Sequence, residues 1–290
     1  MHAATPSAVN FSYAEPADPK LRRLAIRGIE RLTGQPRLKR LYQGYTHRPV
    51  PGEDFFTAAV RLLDLRVDVD STSLDAIPKS GPLVVVANHP FGVVDGVVLG
   101  SLISRVRPDH RVVAHGLLAR APEAAERILP IDFSGTARSS ARNVQSRRTA
   151  IRWLHDGHVI IVFPAGGVST APKPFARTAV DDSWKPFTAR LVQAASAPVL
   201  PVRFAGQNSR LFQVASHLSQ TLRMSLLFNE VHNKIGARIG VTIGEVVPYP
   251  MLAHLQDRQA LADHLRQVTY ALEPNLAFER GNRRAIRQAA

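Results

Sequence analysis

The 290-residue chain contains no cysteine, which excludes a disulfide framework and thiolate chemistry. It is also short of acid. Asp and Glu number 23 against 37 Lys and Arg, a formal net charge of +14, which draws a protein toward nucleic acid, an anionic membrane surface or an acidic carrier. No uninterrupted apolar run is long enough to span a bilayer. The most apolar stretch, Gly81 to Val106, is broken by Asn88, His89, Pro90 and Asp95, and a spanning helix needs about 20 apolar residues. The start, "MHAATPSAVNFSYAEPADP", lacks a basic segment followed by an apolar one, so no signal peptide is expected. There is no P-loop, no G-x-G-x-x-G, no zinc-ligand spacing and no recognisable helix-turn-helix or RNA-binding text, so no specific nucleic-acid partner is expected. No cofactor and no metal site is expected either. A G-x-S-x-G nucleophile elbow is missing too.

Hydrophobic residues make up 45% of the chain, enough for a full core. Residues 1–18 read as a disordered N-terminus, small, polar and without period. Residues 19–66 read as an N-terminal helical, membrane-proximal segment. Its first helix, Lys20–Leu32, carries Leu21, Leu24, Ala25, Ile29 and Leu32 on one side and Lys20, Arg22, Arg23, Arg27 and Arg31 mostly off it, the pattern of an interfacial helix. Further helices are expected over 36–45 and 52–65. Residues 67–250 read as an α/β domain. "GPLVVVAN", "GHVIIVFP" and "APVLPVRF" are short continuous apolar runs, and "GARIGVTIGEVV" alternates, with helices expected over 97–105, 147–155 and 186–195. That alternation predicts an α/β fold with a mostly parallel central sheet flanked by helices. Residues 251–290 read as a C-terminal helix, 253–271, and a basic tail.

Open α/β sheets collect their sites at the carboxyl ends of the strands, and three strand ends carry unusual text. "NHPFGVVDG" delivers His89 directly after a buried strand, Gly92 for a tight turn, and Asp95 where a helix begins. A carboxylate that accepts the imidazole N–H fixes the tautomer and leaves the other nitrogen as a base. With no serine elbow, the hydroxyl it activates belongs to the substrate. "FPAGGVS", Phe163 to Ser169, offers backbone N–H groups for an oxyanion or phosphate. "ILPIDFSGTARSSARN" ends a short strand at Asp132 and enters a loop in which Arg138 and Arg142 face an anionic head group. Taken singly, each has a plain structural reading: a packed histidine, a glycine turn, solvated loop arginines. His155 and His158 read as structural, and Trp184 and Phe187 as packing residues.

In this order, "VVVANHPFGVVDG", "ILPIDFSGTARS", "IIVFPAGGVS" and "APVLPVRFAGQNSRLF" resemble the lysophospholipid/glycerolipid acyltransferase superfamily (PlsC-like). The chain is most similar to its Asn-His-Pro-Phe-Gly, haemolysin-like branch, linked to ornithine- and glycine-lipid synthesis. The resemblance implies His89 as catalytic base and Asp95 as its acidic partner. It implies acceptor contacts around Asn88, Phe91 and Gly92 and along Phe163, Pro164, Ala165, Gly166, Gly167 and Ser169, and an acyl-binding region near Ala197–Val202. Arg138, Asn208 and Arg210 are further head-group candidates. The implied reaction is acyl transfer from acyl carrier protein or coenzyme A to the hydroxyl of a lysolipid. The implied location is peripheral, on the cytoplasmic face of the inner membrane, against an anionic surface.

Three departures stand out. Five residues separate His89 from Asp95, where the commonest family spacing is four. Ala165 replaces the usual glutamate and Val168 or Ser169 the usual arginine of the third block, and Phe133 replaces the arginine of the second. A phosphate is best held by an arginine fork, so these losses favour a lyso-ornithine-type aminolipid over 1-acylglycerol-3-phosphate, with Arg138, Arg177 or Arg210 as possible replacements. Two other readings stay open: a non-catalytic membrane-binding protein of the same fold, and a thioesterase or lipid hydrolase in which water replaces the acceptor.

Overall fold

The computed structural model describes residues 19–47, 50–116, 118–132, 136–173 and 176–273, together with Ser12 and Ala14. In chain order the elements are α1 (Lys20–Leu32), α2 (Gln35–His47), α3 (Phe55–Leu62), β1 (Arg66–Asp68), α4 (Ser71–Asp75), β2 (Leu83–Ala87) and α5 (Val93–Ser104). Then follow β3 (His110–His115), a 3-10 turn (Leu118–Arg120), α6 (Pro122–Ala125), β4 (Ile128–Ile131), α7 (Ala137–His155), β5 (Val159–Val162) and α8 (Pro186–Ala195). The chain continues through β6 (Val199–Ala205), α9 (Arg210–Leu218), α10 (Gln220–Asn233), β7 (Arg238–Ile243), α11 (Tyr249–Leu252) and α12 (Arg258–Ala271). Among the described residues the strands form one seven-stranded sheet in the order β1-β7-β6-β2-β5-β3-β4. All neighbours are parallel except β6 and β7.

The apolar runs are continuous because the central strands are covered on both faces. Leu83, Val85, Ala87, Val159 and Ile161 enter one core; Val84, Val86, Ile160 and Val162 enter the other. The first core includes Phe56 of α3 and Val94, Val98, Leu99 and Leu102 of α5. Gly100 lets α3 approach α5 closely, since a Cβ there would lie 2.6 Å from the Phe56 ring. Asp54 starts α3 by accepting the N–H groups of Phe56 and Thr57.

Several expected boundaries shift. α5 begins at Val93 rather than 97, because Gly92 makes the turn and Asp95 lies inside the first helical turn. α7 begins at Ala137 rather than 147, because Thr136 caps it by accepting the Ser139 N–H, so much of the expected arginine-bearing loop is helix. The sheet is mixed at one side, where β7 reverses direction. The strand β3, the helices α9 and α10 and the short helices α4, α6 and α11 are additions to the expected set. The disorder expected for residues 1–18 lies outside the described residues except at Ser12 and Ala14. Both of these are buried, and the Ser12 hydroxyl donates to Glu30 at 2.7 Å. No described helix is long and apolar enough to cross a membrane.

Candidate active site

β2 and β5 end together, with Val86 opposite Val162. The segments that leave them, Asn88 onward and Phe163 onward, therefore emerge side by side at one edge of the sheet. Asn88 uses its whole amide on β6: Nδ2 donates to the Phe204 carbonyl at 3.0 Å and Oδ1 accepts the Phe204 N–H at 2.7 Å. The side chain expected to meet substrate instead anchors the strand end that presents His89.

Past Pro90 the chain reverses at Gly92, whose φ of 76° and ψ of −119° suit glycine alone. A Cβ there would also lie 3.1 Å from Val168 Cγ2. The reversal brings Asp95 back under His89, with Nδ1 of His89 3.0 Å from Oδ2 of Asp95. The separation is that of an ion pair, with the imidazole nitrogen not aimed squarely at the oxygen. Oδ2 of Asp95 also accepts the N–H groups of Phe91 at 2.8 Å and Gly92 at 2.9 Å. Asp95 is wholly buried. Burial pushes its carboxyl up, while His89 and the two backbone donors pull the other way.

The imidazole stacks on the Phe163 ring, with centroids 4.1 Å apart at 27°. Its side chain keeps 18% exposure, and Nε2 has no protein partner among the described residues. Asp181 locks the two loops together. Its Oδ1 accepts the His89 N–H at 3.1 Å and the Ser169 hydroxyl, and its Oδ2 accepts the Trp184 indole N–H at 2.9 Å. The Ser169 N–H in turn donates to the His89 carbonyl at 2.8 Å.

The other expected site residues divide. Phe91 is buried beneath the Lys234 ammonium, 4.5 Å from its ring centroid. Pro164 and Ala165 are buried, and Ala165 packs in the second core. Gly166 and Gly167 are exposed. The Gly166 N–H closes a turn onto the Phe163 carbonyl, whereas the N–H groups of Gly167 and Val168 meet no protein acceptor among the described residues. The Ser169 hydroxyl is not offered to solvent, being buried on Asp181. Asn208 is 2% exposed, with neither amide atom hydrogen-bonded. Arg177 and Arg210 point to solvent. Arg142 pairs with Asp132 at 3.2 Å. The Arg138 side chain lies outside the described residues.

Four features escaped the sequence reading. Asp181 has no local signature, because its bonds reach 92 residues back to His89. The second and third are Arg223, set against the glycine loop by α10, and Lys234, the C-cap of that helix, beside Phe91; the apolar spacing of α10 itself, Leu222, Leu226, Leu227 and Val231, is legible in the sequence. Burial draws the Lys234 pKa down, opposed by Glu230 and Asp95. The fourth is an apolar cavity of about 460 Å³ lined by Leu38, Tyr42, Leu62, Val93, Val97 and Phe228, among others. Val93, which follows Gly92 in the chain, is part of its lining, whereas His89 and Asp95 are not. The segment Ala197–Val202 runs into buried β6 and is not part of the lining of this cavity.

Residues 16–278 match the family model described as Acyltransferase. A lyso-glycine lipid O-acyltransferase of Bacteroides thetaiotaomicron is 28% identical over 231 residues, covering 76% of this chain and 80% of that protein. A lyso-glycine lipid O-acyltransferase of Phocaeicola vulgatus is 26% identical over 230 residues, covering 76% and 78%. Among solved structures, the 1-acyl-sn-glycerophosphate acyltransferase PlsC of Thermotoga maritima superposes with a TM-score of 0.47 at 19% identity, covering 86% of this chain and 78% of that one.

Proposed function

From the premise that this chain belongs to the acyltransferase family, we propose that it moves a fatty acyl group from a thioester to the hydroxyl of a lysolipid built on an amino acid. The observation that carries this is His89: its Nδ1 lies 3.0 Å from Asp95 Oδ2, while its partly exposed ring leaves Nε2 without a protein partner among the described residues. Nε2 takes the proton of the acceptor hydroxyl as the oxygen attacks the thioester carbonyl. The tetrahedral adduct then expels the thiolate, which recovers the proton from the imidazolium, so an ester and a free thiol result. Such general-base assistance is typically worth about 10²–10⁴-fold. The apolar cavity beside Val93 falls in the size range of small-ligand sites, about 300–1,000 Å³, and suits an acyl chain. The thioester arrives on acyl carrier protein or coenzyme A, both anionic, and a net charge of +14 favours either.

The amino-acid acceptor is favoured by the lyso-glycine lipid named in both relatives and by the neutral residues in the glycine loop, where a phosphate-binding arginine would stand. The protein works on a membrane surface. On α1, Leu21, Leu24 and Leu32 are 83%, 70% and 88% exposed, whereas Ile26 and Glu30 face inward. Exposed leucines flanked by arginines suit the boundary of an anionic leaflet, which for this reaction is the cytoplasmic one.

The test is an acylation assay with purified protein and acyl-thioester on three acceptors: N-(hydroxyacyl)glycine, its ornithine counterpart and lysophosphatidate. Acylated amino-acid lipid is the expected product. Turnover of lysophosphatidate alone overturns the acceptor, and free fatty acid without an acylated lipid makes the protein a hydrolase.

A further inference from the structure

The glycine loop has no arginine of its own, yet a guanidinium lies against it. Arg223 projects from α10 so that a Cβ added at Gly167 would sit 3.6 Å from its Nη2, and that nitrogen donates to the Val168 carbonyl. The group is only partly exposed. It also lies 5.8 Å from the Phe212 ring centroid. No described carboxylate is within ion-pair distance of it. Asp182, the one acid that acts on it appreciably, is itself paired with Lys185 at 3.8 Å. Most of its N–H donors are thus without a protein acceptor, in a place where desolvation draws its pKa down. The free N–H groups of Gly167 and Val168 are beside it. The dyad is on the same wall: Leu227, one turn along α10, lies 3.6 Å from a Cβ placed on Gly92, and Val168 lies 3.1 Å from it.

We propose that Arg223 and the Gly167–Val168 N–H groups form the receptor for the carboxylate of the acceptor, and so set its head-group specificity. This rests on the amino-acid lysolipid reading above. An amino acid acylated on nitrogen keeps one carboxylate and no phosphate, and a planar carboxylate matches the fork of a guanidinium. A helix supplies in space the cation that the loop lacks in sequence. Arg223 binds and positions the acceptor; it takes no part in proton transfer.

The experiment compares N-(hydroxyacyl)glycine with its primary carboxamide as acceptors, using the full chain and the variants Arg223→Met and Arg223→Lys. Arg148→Met, which removes an exposed charge on α7, is the control. The wild type and control should prefer the carboxylate. Arg223→Met should lose about 10–100-fold in kcat/KM on the carboxylate, the range expected for a charged hydrogen bond, mainly through KM. On the carboxamide it should lose no more than about 2-fold. Arg223→Lys should fall between, and decides the matter if the methionine variant does not fold. Equal losses on both acceptors, or a carboxylate preference that survives in the variants, overturn the assignment while leaving the acceptor class intact. A wild type that ignores N-(hydroxyacyl)glycine overturns the acceptor class, and the carboxylate receptor with it.

Discussion

Nδ1 of His89 stands 3.0 Å from Oδ2 of Asp95, and the same carboxylate oxygen holds the N–H groups of Phe91 and Gly92. One atom thus holds the turn and lies against the imidazole. His89→Ala should lower turnover by about 10²–10⁴-fold with the fold retained and only part of the stability lost, since Asp95 keeps the Phe91 and Gly92 N–H groups when the imidazole is removed. Asp95→Asn should lose activity by a similar factor, and stability as well, because an amide cannot keep every contact of the buried oxygen. Acyl-transfer rates and thermal melts on the same preparations check both. A His89→Ala enzyme with more than about a tenth of wild-type activity, against the factor expected of a general base, would remove His89 from the mechanism.

Asp181 bridges the segment that carries His89 and the glycine loop. Asp181→Asn places an N–H₂ where either the His89 N–H and Ser169 hydroxyl or the Trp184 indole must donate. The mismatch leaves a buried donor unsatisfied, at about 1–3 kcal/mol, measurable by urea denaturation. Turnover should fall too, since the clamp on the His89 segment is weakened whichever way the amide turns. An unaltered kcat alongside reduced stability would confine Asp181 to a structural part.

His110, 1% exposed, packs 5.4 Å from the Phe56 ring, and its Nδ1–H donates to the Arg107 carbonyl at 3.1 Å. Burial lowers its pKa to about 4. Below the unfolded value of about 6.5 the unfolded chain takes up a proton that the folded one refuses, so the stability present above that pH is lost as pH falls toward 4. Of the groups around it, Arg127 pushes the pKa the same way, and Asp54 and Asp109 oppose. His110→Phe should flatten the dependence of unfolding free energy on pH between about 6.5 and 4. A slope that persists unchanged in the variant would place its origin elsewhere.

The leucines of α1 should act at a surface and not in the fold. Replacing Leu21, Leu24 and Leu32 by Ser should leave the thermal midpoint within about 2 °C, since exposed sites contribute little. Sedimentation with anionic vesicles should drop about tenfold or more, as three apolar side chains at about 1.5–3 kcal/mol each no longer enter the interface. Equal vesicle binding by the variant would transfer the docking surface to another face.

Much of this was legible in one dimension. The valine run before His89 announced a strand covered on both faces, because only such a strand needs no polar alternation. The reversal at Gly92 and the acid of Asp95 were legible as well, because turn chemistry and a helix's first turn are local effects within a few residues. Composition alone closed off thiol chemistry.

What lay beyond reach were the relationships across long separations. Asp181 meets His89 because Ser169 and Trp184 bring a distant loop under the sheet edge, and no short-range pattern encodes that pairing. The family motif implies an acceptor contact at Asn88, but the register of β2 against β6 sets its amide on Phe204. The arginine missing from the glycine loop reappears from α10, since a guanidinium's place is set by the packing of its helix and not by its neighbours in the chain. Sequence determined which chemical groups arrive at the ends of the strands. Tertiary structure decided which of them face one another, because side-chain contacts follow distance in space, and the sheet brings together segments the chain keeps far apart.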